Sequence, residues 1–324
     1  TQTFIADAYS ITGADSTFAT SNDNITFTDG GADGGITLAN IADLTITTEL
    51  GGSGAGNIAV NVPIAGTAGD GDDATDVTMT AGSGTITVED ITTDINDVLL
   101  TSTGGISLDG SITTAVDSDE TGATSGVVTL TGPVTLAGNT TIDTDSTSNN
   151  GAVTFSSTVD GAKTLTITSG SGAVQFGGNI GATTALSDVT VNSSAGTGTI
   201  TFSGNVGADA TTAGAAVVTV GNADTASITF AGVEFTTSGA QTFTADAYSI
   251  TGADSTFGSS NDNITFADGG ADGGITLADI ADLTITTEIG GSGGGNIAVN
   301  VPIAGTSGDG DDATDVTMTA GSGT

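Results

Sequence analysis

The sequence predicts an all-β protein, a parallel β-solenoid (β-helix) of short strands joined by Gly, Asn and Asp turns. Three observations carry this: apolar-Thr-apolar triplets, their spacing, and a long internal repeat. The triplets include Ile25-Thr26-Phe27, Ile36-Thr37-Leu38, Leu44-Thr45-Ile46, Val77-Thr78-Met79 and Ile86-Thr87-Val88. Val134-Thr135-Leu136, Val153-Thr154-Phe155, Leu165-Thr166-Ile167, Val189-Thr190-Val191, Ile200-Thr201-Phe202 and Ile228-Thr229-Phe230 follow. Each is bounded by Gly, Asn, Asp or Ser. Period-2 alternation turns the outer two residues toward a core and the Thr away from it, as in a half-buried strand. No window sustains the i, i+3, i+4, i+7 spacing of a helix.

Triplets begin at residues 153, 165, 174, 189 and 200, and those ending in Phe begin at 153, 174, 200 and 228. The Phe series advances by 21, 26 and 28 residues. This predicts coils of about 21–28 residues with two or three strands each. One coil cannot bury its apolar face alone, whereas a stack buries a continuous narrow core. The competing arrangement is a string of Ig-like β-sandwiches, whose strands recur at similar spacing. Very short strands and the absence of Trp argue against it. Only Tyr9 and Tyr248 are available for a tyrosine corner, and they are one position of the repeat.

Residues 2–85 recur at 241–324 with an offset of 239. Of these 84 positions, 76 are identical, and Ala6 to Phe18 returns unchanged as Ala245 to Phe257. The differences are Ile5/Thr244, Ala19/Gly258, Thr20/Ser259, Thr28/Ala267, Asn40/Asp279, Leu50/Ile289, Ala55/Gly294 and Ala68/Ser307. Residues 1–239 are therefore read as one full repeat unit and 240–324 as the start of the next, in a continuous array without a linker. The expectation is an array that continues in both directions. At ~4.8 Å per stacked strand, a period should span very roughly 50 Å.

Composition narrows the function. The chain has 38 acidic residues, one basic residue (Lys163), no His, no Cys and no Trp, for a formal charge of −37. Nucleic acid is excluded as a partner, because phosphate binding needs Lys and Arg clusters. Electrostatic attraction to anionic lipid is excluded likewise. No apolar run approaches the ~20 residues of a membrane span, so membrane insertion is not expected. No signal peptide opens the sequence, so a signal for secretion is expected to lie outside it. Without His or Cys, Ser-His-Asp and Cys-His nucleophilic arrangements cannot be built. Without Arg there is no cationic clamp, and paired carboxylates lack the basic and aromatic contacts that sugar substrates need. The chain is read as not an enzyme. Scarce Lys and Arg also remove almost every tryptic site, which suits exposure to extracellular proteases.

The acidic turns are the candidate metal sites. In Gly69-Asp70-Gly71-Asp72-Asp73-Ala74-Thr75-Asp76, carboxylates recur in a Gly-rich turn that could converge on a hard cation such as Ca²⁺. The repeat carries it again, so the candidate ligands are Asp70, Asp72, Asp73 and Asp76 with Asp309, Asp311, Asp312 and Asp315. The spacing matches neither the EF-hand loop nor the β-roll nonapeptide, and a solvated turn is the plainer reading. Weaker acidic groups are Asp29 with Asp33, Asp117 with Asp119 and Glu120, and Asp143 with Asp145. Outward T-x-T pairs (Thr26/Thr28, Thr45/Thr47, Thr78/Thr80, Thr164/Thr166/Thr168, Thr199/Thr201) invite an ice-binding reading. Variable coil length argues against the even array this needs. Asn24, Asn139, Asn192 and Asn263 begin N-x-S/T sequons. Lys163 sits in a turn with Asp160 as its expected charge partner.

The phrases Gly151 to Phe155 (GAVTF), Leu165 to Phe176 (LTITSGSGAVQF), Asn179 to Val191 (NIGATTALSDVTV) and Thr199 to Val206 (TITFSGNV) carry a resemblance. The chain resembles the giant β-strand-repeat surface proteins of bacteria, in the style of filamentous-haemagglutinin adhesins and autotransporter passengers. The resemblance is one of pattern over most of the chain. It implies secretion to the cell surface, a solenoid and a fibre or adhesive stalk. The nearly identical 239-residue repeat departs from that pattern and suits a material more than varied adhesive sites. The expectation is an extracellular filament, fibre or sheath that self-associates end to end or laterally. The alternatives are the stalk of an adhesin presented to a carbohydrate or cell surface, and an ice-binding module.

Overall fold

The computed structural model describes residues 1–31, 34–39, 42–52, 54–67, 75–114, 126–145, 150–208, 212–271, 273–279, 281–290, 294–306 and 314–321. Regular structure among them is entirely β. The chain divides into two compact units, Thr1–Ser157 with Ser169–Gly172, and Thr158–Thr168 with Ala173–Thr324.

The first unit winds as coils of three strands. The first coil is β1 (Gln2–Ala6), β2 (Tyr9–Ile11) and β3 (Asp15–Ala19); the second is β4 (Ile25–Asp29), β5 (Ile36–Leu38) and β6 (Asp43–Thr47). Then come β7 (Ile58–Asn61), β8 (Ile64–Gly66) and β9 (Val77–Gly82), and β10 (Ile86–Val88), β11 (Ile91–Thr92) and β12 (Val98–Ser102). The last two coils are β13 (Ile106–Leu108), β14 (Ile112–Thr113) and β15 (Val128–Thr131), and β16 (Val134–Leu136), β17 (Thr140–Asp143) and β18 (Val153–Phe155). Every strand pairs in parallel with its counterpart one coil on. The result is a first sheet β1-β4-β7-β10-β13-β16, a second sheet β2-β5-β8-β11-β14-β17 and a third sheet β3-β6-β9-β12-β15-β18. This is a parallel β-solenoid with three strands per coil.

The triplets explain the core. Ile25, Ile58, Ile86, Ile106 and Val134 occupy successive rungs of one column in the first sheet and are buried. Val98, Val128 and Val153 do the same in the third. Each such side chain contributes about 1.5–3 kcal/mol by leaving water, and β-branched residues stack well on a pleated surface.

Coil length varies more widely than the triplet spacing predicts. In the first sheet the register steps from Gln2 to Ile25, Ile58, Ile86, Ile106 and Val134, advancing 23, 33, 28, 20 and 28 residues. The mean is about 26. Strand pairing persists through these changes, so the corners absorb the extra residues. Glycine is required at one such corner: a Cβ on Gly34 would lie 1.3 Å from the Asp7 carbonyl oxygen, and Gly273 repeats this against Asp246 at 1.4 Å.

The second unit follows the same plan. Its strands are β19 (Val159–Asp160), β20 (Thr164–Thr168), β21 (Val174–Phe176), β22 (Leu186–Val191), β23 (Thr199–Phe202), β24 (Ala215–Val220), β25 (Ser227–Phe230), β26 (Glu234–Thr237), β27 (Gln241–Ala245) and β28 (Ala247–Ile250). They continue as β29 (Asp254–Ser259), β30 (Ile264–Asp268), β31 (Ile275–Leu277), β32 (Asp282–Thr286), β33 (Ile297–Val299), β34 (Ile303–Gly305) and β35 (Val316–Thr319). One sheet runs β20-β22-β24-β27-β30-β33 and a second runs β21-β23-β25-β28-β31-β34. The third begins at β19, passes Ile180 and Val206 as single bridging residues, and continues β26-β29-β32-β35.

Strands β27 to β35 occupy the repeat positions of β1 to β9, so the sequence repeat is also a structural one. The core here is aromatic. Phe176, Phe202 and Phe230 stack at 5.1 and 5.6 Å, and Phe230 meets Phe235, Phe243 and Phe257 edge-on. The Tyr248 hydroxyl, buried beneath the edge of Phe266, donates to the carbonyls of Phe243 (2.9 Å) and Ala267 (2.5 Å). Burial raises its pKa.

Candidate functional site

The corner carboxylates and amides are built into the coils. Each accepts a backbone N–H from the coil that follows. The Asp43 Oδ1 accepts from the Asp76 amide at 3.0 Å, Asp76 Oδ1 from the Asp97 amide at 3.0 Å, and Asp97 Oδ1 from the Val127 amide at 2.9 Å. Asparagines make a parallel series: Asn24 accepts from Asn57 at 2.8 Å, and Asn57 from Thr85 at 2.9 Å. In the second unit, Asn179 accepts from Asn205 at 3.0 Å, and Asn205 from Val233 (2.9 Å) and Glu234 (3.2 Å). These N–H groups lie at or just before the starts of strands, where the chain turns at a corner. A side-chain oxygen stacked one rung away satisfies them, as every partly buried donor requires.

The predicted metal ligands divide accordingly. Asp76 sits in this ladder, where its Oδ1 also accepts from Asn96 Nδ2 at 3.1 Å. Burial is the largest influence on its carboxyl and raises the pKa; the bonds from Asp97 and Asn96 lower it, and the Asp97 charge raises it again. Asp315 enters the equivalent place through its amide, which donates to Asp282 Oδ1 at 2.8 Å. Asp70, Asp72, Asp73, Asp309, Asp311 and Asp312 lie outside the described residues, as do Asp33, Asp117, Asp119 and Glu120. Among the described residues, no group of three or more carboxylates is placed to hold a metal ion. Asp143 Oδ1 accepts from the Asp145 amide at 3.1 Å, which makes it a turn-closing group.

Other expectations change. Asp160 is not the charge partner of Lys163: its Oδ1 accepts the Thr183 and Thr184 amides at 2.8 and 2.9 Å, and the two side chains form no ion pair. Among the sequons, Asn192 is only 1 % exposed, and Asn24 and Asn263 use their Oδ1 atoms in the ladder.

The T-x-T pairs form a more even array than the variable coil length suggests. On the third sheet of the first unit, Thr17, Thr45, Thr78, Leu99, Thr129 and Thr154 make one outward column. Ala19, Thr47, Thr80, Thr101 and Thr131 make a second beside it. Because the corners take up the length differences, these rows stay one strand apart. Glu89 lies just past the first-sheet strand β10, and burial first, then the charges of Asp109, Asp90 and Asp29, raise its pKa.

The fold defines the chain as a parallel β-solenoid protein. No protein-family model, curated protein or solved structure matches it.

Proposed function

We propose that the protein is a secreted, extracellular structural filament or sheath component, whose tandem coils stack into a long solenoid. The observation that carries this reading is the repeat: 76 of 84 positions recur after 239 residues, and the second copy forms the same strands as the first. A solenoid gains stability from each added coil, so near-identical units lengthen it without new design. Nothing in this reading needs a catalytic group, and the corner Asp and Asn side chains serve the backbone. The acidic surface is screened by salt and divalent cations, and Ca²⁺ bound at the turns around Asp70 and Asp309 belongs to the same reading. An adhesin stalk is the second reading, favoured by the bacterial surface-protein pattern of phrases such as Thr199 to Val206.

Electron microscopy of the secreted material tests the filament. At about 26 residues per coil the 239-residue period holds about nine coils, and uniform rods should show an axial repeat near 44 Å. Beaded globules, or short stalks each ending in a distinct head, would sink it. For Ca²⁺, thermal stability and bundling unchanged by EDTA would remove the metal from the reading.

A further inference from the structure

We draw no further inference here: the strongest candidate, the uncharged outer face of the second-unit sheet β21-β23-β25-β28-β31-β34, where Thr201, Thr229, Ser249 and Thr276 stand outward on successive rungs, carries nothing because nothing in the structure shows what covers it.

Discussion

Phe18 and Phe257 are the same residue of the repeat in two settings, and replacing each with Ala separates the effect of stacking from that of sequence. Phe18 packs against Phe4 at 5.3 Å and Phe27 at 5.0 Å, and remains partly exposed. Phe257 keeps the equivalent partners, Phe243 at 5.7 Å and Phe266 at 5.1 Å, and adds Phe230 edge-on at 4.9 Å and Phe235 stacked at 4.7 Å. It is 0 % exposed. Removing a fully buried Phe costs about 3–5 kcal/mol. The added pairs with Phe230 and Phe235 account for about 0.5–1.5 kcal/mol each. Phe257→Ala should therefore destabilise by about 1–3 kcal/mol more than Phe18→Ala. Hydrogen exchange read by mass spectrometry resolves this, because opening in a solenoid is local and each unit reports on its own amides. The loss from Phe257→Ala should fall on amides of β24 to β30. Equal losses at the two sites, or a larger one at Phe18, would refute the view that the preceding coil supplies the difference.

Asn205→Ala removes the acceptor of the Val233 and Glu234 amides and should cost about 1–3 kcal/mol, while Asn205→Asp should keep most of it; denaturant titration distinguishes them. Glu89 and Asp76 have raised pKa values, so the folded state binds their protons more readily than the unfolded one. Their contribution is full below the unfolded carboxylate range and lost as pH rises through the folded values. The thermal midpoint should therefore rise as pH falls from about 7 toward 4, and Glu89→Gln should shrink that rise. Raising NaCl from about 0.01 to 0.15 M should also raise the midpoint, since the Debye length falls from about 30 to 8 Å; a midpoint indifferent to salt would show that self-repulsion is not what limits stability.

The period-2 triplets made the strands legible. Ile25 to Phe27, Val153 to Phe155 and Ile228 to Phe230 each became the strand their alternation predicted. One strand of many coils was not legible. Ile91–Thr92 and Ile112–Thr113 are two residues long, and Ile180 and Val206 are single bridges, too short for any periodicity. The ladder was hidden for another reason. Asp76 reads locally as part of an acidic turn, because its partners Asp43 and Asp97 are 33 and 21 residues away. A signal did exist: Asn24 to Asn57 and Asp43 to Asp76 share the same 33-residue step, which is one coil. Variable coil length misled the reading of the Thr rows, because it takes effect at corners and leaves the sheets untouched.

That separation would let a corner of the first unit carry added chain. At the corner holding Gly51 and Gly52 (φ +104° and +103°), a side chain would meet open space. A peptide grafted there would extend a surface loop, and doubling such a loop costs only about 0.6 kcal/mol. The strands of the first unit on either side would hold their rungs, taking no notice of the guest's length.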